Sequence, residues 1–301
     1  MFRPPRRCGA SGIGVQSGIE AMKLRSAIVL GSLLAGAAVA GAQTAPPASQ
    51  LASGHHYIPT QTYTAAEDQR ILAAFEGLRV ADVSDGMDFV GLPDVGLMNR
   101  EIHPSWKDTQ TFAHRFIGIA VTARYVPTQR PAAVGGQTYE DFRAWEGQWY
   151  NELSPEPFVP LLRPGSAIVL DEADDADVGS IGSANILAWK LAGAVGVVTD
   201  GSARDTDEIA TEQVPLYLRR VGRGIRPGRN EIESVNRPVV VGGVLVKPGD
   251  VVVGDGDGVI VVPRAVALSV AEFAHRILAG DKAARRTLYE QAGLPDDPSV
   301  E

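Results

Sequence analysis

From residue 64 onward, short apolar runs alternate with turns rich in glycine and proline. Helical spacing begins at Thr64, a plausible N-cap with Glu67 three places on, and runs through Ile71, Leu72 and Phe75. Val80-Ala81-Asp82-Val83-Ser84-Asp85-Gly86-Met87 follows, readable as a short strand or a helix start bearing polar groups. Residues 116–125 alternate with period two, Ile117, Ile119 and Val121 on one side, which predicts a strand. Residues 128–157 break the rhythm: Gly135-Gly136, then Tyr139, Phe142, Trp145, Trp149 and Tyr150, then Pro155 and Pro157. Aromatics at three- and four-residue spacing predict one amphipathic helix, used for core packing, as a substrate lid or as a subunit contact.

Beyond Leu161 the pattern tightens. Arg163-Pro164-Gly165 turns into a predicted strand at 167–171, and an apolar helix opens at Gly182-Ser183-Ala184-Asn185. That helix leads into a strand over 195–199, which stops at the turn Asp200-Gly201. After a loop with Gly222, Gly224 and Gly228 come apolar residues 238–246 and the turn Lys247-Pro248-Gly249-Asp250. Strands at 251–253 and 259–262 flank Asp255-Gly256-Asp257-Gly258, and an apolar-striped helix is predicted over 265–279. Short β-branched strands with a few helices and many glycine turns predict a single α/β domain without internal repeats.

The beginning of the chain reads differently. Met22-Lys23-Leu24-Arg25 is a short basic start, residues 26–40 carry no charge, and Ala40-Gly41-Ala42 offers small residues for cleavage before Gln43. This predicts a signal peptide over 22–42, preceded by upstream sequence (1–21) and followed by a linker (43–60). The apolar run is short and rich in Ala and Gly for a membrane span of about 20 residues. The expected protein is exported, periplasmic or secreted, with a domain over 61–285 and a tail over 286–301. Cleavage would remove Arg3, Arg6, Arg7, Lys23 and Arg25 together with Glu20, taking the formal net charge from −8 to −12. So acidic a surface repels nucleic acid and anionic membranes. Cys8, the only cysteine, would also be lost, which excludes thiol catalysis and disulfide stapling.

The candidate chemistry lies where the strand at 195–199 ends. Arg204 and Asp205 stand side by side there: a guanidinium binds a planar carboxylate through paired hydrogen bonds, and a carboxylate can hold a hard cation. The unpaired N–H groups at Ser183, Ala184 and Asn185 would attract an anion at the helix start. Taken alone, Arg204-Asp205 reads equally as a surface pair and Ser183 as an N-cap. Asp255-Gly256-Asp257-Gly258 reads as a tight turn rather than a calcium loop, the acidic run 171–177 as a solvated loop, and the five histidines lack metal-ligand spacing.

Three blocks, in order, carry a resemblance. They are Val80-Ala-Asp-Val-Ser-Asp-Gly86; Gly196-Val-Val-Thr-Asp-Gly-Ser-Ala-Arg-Asp205; and Val246-Lys-Pro-Gly-Asp250, which runs on to Asp257-Gly-Val-Ile-Val-Val-Pro263. Through them, roughly over 78–279, the chain resembles the RraA-like family of 4-hydroxy-4-methyl-2-oxoglutarate aldolases and regulators of ribonuclease E activity. The resemblance implies a compact swivelling β/β/α domain, with 128–157 as an insertion, assembled into homotrimers or homohexamers with sites near subunit interfaces. It implies Asp205 as ligand of a divalent metal, Mg²⁺ or Mn²⁺, and Arg204 as the group that binds the pyruvyl part of a small 2-oxo acid. The backbone of Gly182, Ser183, Ala184 and Asn185 would take the acid's carboxylate. An acidic position of the family's aldolases falls on Ser183 here. The implied reaction is retro-aldol cleavage or decarboxylation through a pyruvate enolate, with metal-bound water, Asp85 or Glu208 as candidate base. The alternative is a non-catalytic binding or regulatory protein that keeps the anion pocket.

Overall fold

The computed structural model describes residues 58, 60–131, 138–172, 177–297 and 299–300. The predicted upstream segment, signal peptide, Gly135-Gly136 and residues 173–176 lie outside the described residues, as does nearly all of the linker. The described chain begins with helices α1 (Ala65–Phe75) and α2 (Val80–Phe89). The short strand β1 (His103–Pro104), the long strand β2 (Phe116–Pro127) and helix α3 (Tyr139–Gln148) come next. Strand β3 (Ser166–Glu172), helix α4 (Ser183–Leu191) and strand β4 (Ala194–Thr199) form a βαβ unit. Then come β5 (Ser202–Ala203), α5 (Thr206–Thr211), β6 (Leu216–Leu218), β7 (Arg220–Val221) and β8 (Asn230–Val235). The hairpins β9 (Val239–Val241) with β10 (Val244–Val246) and β11 (Val251–Asp255) with β12 (Gly258–Val262) precede a long helix, α6 (Ala267–Ala292).

The main sheet runs β1-β6-β4-β3-β2-β11-β12, with β8 also on β2. Strands β2, β3, β4 and β6 are parallel, so their carboxyl ends emerge together. β2 serves two partners on one edge: Phe116–Ile119 pairs antiparallel with β11, and Ala123–Pro127 with β8 across a register shift between Arg124 and Tyr125. Its alternation has the expected period, but both faces are buried, as befits a strand inside a largely parallel sheet. Ile119 packs beneath α1, α2 and α6 with Phe75, Val83, Met87, Val253, Ile260 and Val270. Val121 joins Ile168, Ile186, Trp189, Val197 and Ile209 under α4 and α5. Ala120, on the other face, meets Val169, Val198, Tyr217, Val252 and Val261 where the sheet curls on itself.

Several boundaries are tertiary decisions. Thr64 caps α1 with a complete capping box: the Glu67 N–H donates to Thr64 Oγ1 at 3.2 Å and the Thr64 N–H to Glu67 Oε2 at 2.7 Å. Residues 80–89 form a helix, because buried Asp255 accepts the Val80 N–H at 2.9 Å and satisfies an open donor at its start. The same carboxylate accepts the Asp257 N–H at 2.8 Å, so Asp255-Gly256-Asp257-Gly258 is the tight turn of the β11–β12 hairpin. The predicted helix at 265–279 continues to Ala292 and stops at Gly293, which adopts a left-handed conformation (φ 65°). Its later turns are mostly exposed, so they carry no apolar stripe for periodicity to find.

Candidate active site at the carboxyl ends of the parallel strands

In open parallel sheets ligands bind where strand carboxyl ends diverge, and the loops after β3 and β4 meet there. Two short contacts stitch them together, Ser180 N–H donating to Ser202 O (3.0 Å) and Arg204 N–H to Ile181 O (2.8 Å), and the Gly222 N–H, after β7, donates to Ala203 O (2.8 Å). The Cα of Gly179 lies against the Arg204 stem; a Cβ there would come within 2.6 Å of Arg204 Cβ. Gly182 faces the functional atoms themselves, since its Cβ would sit 3.0 Å from Asp205 Oδ2 and 3.8 Å from Arg204 Nε. A side chain there would push the Asp205 carboxylate aside by a few tenths of an ångström.

The two halves foreseen in the sequence therefore converge. The Ser183 N–H donates to Asp205 Oδ2 at 3.2 Å, and Arg204 Nε lies 3.8 Å from the same oxygen. The Arg204 and Asp205 side chains are 37% and 39% exposed, which leaves both open to a ligand. Asp205 is itself left-handed (φ 57°) and leads into α5, with Ile209 N–H donating to its carbonyl at 3.1 Å. Ser183 is the first residue of α4 and does not cap it; Gly182 occupies the cap position without a side-chain bond. Of the first-turn N–H groups, that of Ser183 is taken by Asp205 Oδ2, whereas those of Ala184 and Asn185 carry no side-chain bond. Glu208 sits one helical turn after Asp205, exposed. Asp85 is exposed on α2, in the field of Asp88, Asp281, Asp82 and Arg79. Among the described residues no group of three His, Cys, Asp or Glu side chains is arranged to hold a metal ion.

Several site residues gave no sequence signal. Glu156 reaches from the aromatic segment to α4, accepting from Asn185 Nδ2 at 2.7 Å and from Trp189 Nε1 at 2.8 Å. It also pairs at 2.5 Å with Arg226, which is buried and whose Nη1 lies 3.1 Å from the Tyr125 hydroxyl. Asn185 therefore spends its amide on Glu156, and its backbone N–H is what remains for a ligand. Beneath them lies Glu172, the last residue of β3. The acidic run was expected to be solvated, yet Glu172 is buried, with Oε2 lacking a hydrogen-bond partner. Burial pushes its carboxyl up to about 8, against the pull of Arg226. Asp200 and Asp171 are raised as well, burial being the main cause in each.

The profile of the RraA-like family (Aldolase/RraA) matches residues 80–261, more than half the chain. A Halalkalibacterium halodurans protein named "Putative 4-hydroxy-4-methyl-2-oxoglutarate aldolase" is 33% identical over 128 residues, 42% of this chain and 60% of that protein. A protein of the same name from Ectopseudomonas mendocina is 33% identical over 113 residues, 36% of this chain and 67% of that protein. The match thus spans about 60% of the first relative's length. Among solved structures, an uncharacterized Pseudomonas syringae protein is 25% identical with a TM-score of 0.55, covering 79% of this chain and 97% of its own. RraAS2 of Streptomyces coelicolor, described as an unusual member of the RNase ES inhibitor RraA family, shares the fold at a TM-score of 0.56 and 21% identity, over 75% of this chain and 99% of its own. On the family match and on the site those residues build, the chain belongs to the RraA-like family.

Proposed function

We propose that the protein is a divalent-metal-dependent lyase that cleaves or decarboxylates a small 2-oxo acid. The carrying observation is the meeting of Asp205, Arg204 and the start of α4 around Gly182. The donor set fits Mg²⁺ or Mn²⁺: one half-exposed carboxylate, with Glu208 a turn away, suits a cation that takes its other ligands from substrate and water. When bound, the cation would lower the energy of negative charge developing on the keto oxygen. Asp205 would hold it, and the donor from Ser183 would keep Oδ2 turned toward α4. The N–H groups of Ala184 and Asn185 at the start of α4 would receive the acid's carboxylate, and Arg204 would pair with the keto-acid group. Retro-aldol cleavage removes the proton of the 4-hydroxyl, breaks the C3–C4 bond and leaves the electron pair as an enolate, which gives pyruvate once C3 is protonated. Arg204 would stabilise that enolate, and Glu208 is the side chain best placed to take the hydroxyl proton.

The sequence-based expectation of export and of a homotrimer or homohexamer forms part of this reading. A second reading, binding of a 2-oxo acid without turnover, is favoured by the serine at position 183, which leaves the site without a second carboxylate beside Asp205. The chain from residue 43 is expected to release pyruvate from oxaloacetate or 4-hydroxy-4-methyl-2-oxoglutarate with Mg²⁺ or Mn²⁺ and to stop under chelator. Asp205→Asn, which keeps a residue tolerant of left-handed backbone but removes the charge, should abolish release without lowering Tm appreciably. Undiminished release by Asp205→Asn would remove Asp205 from the metal role.

A further inference from the structure

The aromatic segment carries Glu156 near its end, and that residue decides which way Asn185 faces. The segment is anchored on both sides of it: Trp149 Nε1 donates to Asn230 O at 2.9 Å, Ser154 Oγ to Asn230 Oδ1 at 3.0 Å and the Tyr125 hydroxyl to Pro155 O at 2.7 Å. The Glu156 carboxylate, held by Arg226 and Trp189, accepts from Asn185 Nδ2 at 2.7 Å. A carboxylate only accepts, so the Asn185 NH₂ is turned to Glu156 and Oδ1 is turned away from it. That oxygen takes no donor from the described residues. It faces the gap in front of Gly182: a Cβ there would stand 3.4 Å from Asn185 Oδ1, 3.0 Å from Asp205 Oδ2 and 3.8 Å from Arg204 Nε. As a donor for the acid Asn185 keeps only its backbone N–H, but as an acceptor its side chain is open.

We propose that Asn185 Oδ1 is the second protein oxygen of the cation site, facing Asp205 Oδ2 across the gap at Gly182, and that Glu156 is the positioning residue that points it there. Both oxygens are acceptors, so they call for a donor or a cation. A 2-oxo acid brings only acceptors at its carboxylate and keto group, and Arg204 and the N–H groups of Ala184 and Asn185 answer those. A hard divalent cation, which takes carboxylate and amide oxygens alike, fits the pair. The amide oxygen then does part of what a carboxylate at position 183 would do, without adding charge. Asn185 serves both ligands, the acid through its backbone N–H and the cation through Oδ1.

The inference rests on the proposed cation at Asp205, and Mn²⁺ binding tests it without turnover. Free Mn²⁺ is followed by electron paramagnetic resonance in the parent protein and in Asn185→Ala, Glu156→Gln, their double variant and Asp205→Asn. Asn185→Ala leaves Trp189 and Arg226 on Glu156, so α4 stays anchored and Tm should change little. Its Mn²⁺ dissociation constant is expected to rise about tenfold. In Glu156→Gln the new amide can donate as well as accept, which lets Asn185 turn its NH₂ toward the gap; Mn²⁺ should weaken in the same sense. The double variant should then be no weaker than Asn185→Ala alone, because both changes remove one oxygen. Parent affinity in Asn185→Ala, with binding lost in Asp205→Asn, overturns the proposal and leaves the cation at Asp205. Losses that add in the double variant overturn the role of Glu156. No Mn²⁺ binding by the parent overturns both the proposal and the cation site.

Discussion

Asp205 sits at the one point where three demands meet: a left-handed backbone, a carboxylate facing a helix start, and access for a ligand. Aspartate and asparagine tolerate that conformation better than most residues, so the strain is small and the residue type is doubly determined. Ser183 is the natural place to test what is missing. An Asp in its place would lie at the positive end of α4 beside Asp205 and make a two-carboxylate cation site. Ser183→Asp should raise metal-dependent pyruvate release about tenfold, the usual reach of one well-placed carboxylate. No gain at saturating Mg²⁺ would mean that the pocket serves another acid. Glu172 gives a prediction of opposite character. Its folded pKa lies at about 8, above the ordinary carboxylate range, so the folded state holds a proton that the unfolded chain has released. Stability from this group is therefore complete below about pH 4.5 and is lost progressively as pH rises toward 8. Glu172→Gln should raise Tm at pH 8, leave it nearly unchanged at pH 4.5, and flatten the profile between. Equal Tm values for both proteins at pH 8 would show that the carboxyl ionises without cost.

At the scale of elements, the link between α4 and the aromatic segment matters most. Three donors, from Asn185, Trp189 and Arg226, converge on the single carboxylate of Glu156. Removing it leaves a buried guanidinium without its counter-charge. A buried pair broken on one side costs roughly 3–5 kcal/mol, well above the loss of an exposed pair. Glu156→Ala is expected to lower the urea midpoint accordingly and to weaken 2-oxo acid binding, because the first turn of α4 loses its outer support. A change in midpoint within error would show that the segment is not anchored through this residue. Helical spacing foretold α3, but its partners could not be foretold: Tyr139 and Phe142 stay exposed, whereas Trp149, where the α-helix passes into a π-helical turn (Trp149–Leu153), enters the core. Spacing of aromatics marks a face; it does not say against what that face is laid.

For the whole molecule, three apolar clusters surround a sheet whose parallel centre sends its carboxyl ends to one place, and the candidate site lies there by construction. Among the described residues no helix is long and apolar enough to cross a membrane. The sequence by itself determined the α/β class, strands β3, β4, β11 and β12 and the pairing of Arg204-Asp205 with the start of α4, whereas β5 to β8 left no signal. Those features are set locally, by β-branched runs and glycine turns; that Ser183 starts α4 without capping it became visible only in the structure. Tertiary structure decided the rest. It made residues 80–89 a helix through buried Asp255 and turned Glu172 from an expected loop residue into a buried acid. It also brought Glu156 and Arg226 against α4 from segments distant in the chain. A period in sequence reports which face is apolar, whereas the partner of a buried charge is chosen only when remote segments close around it.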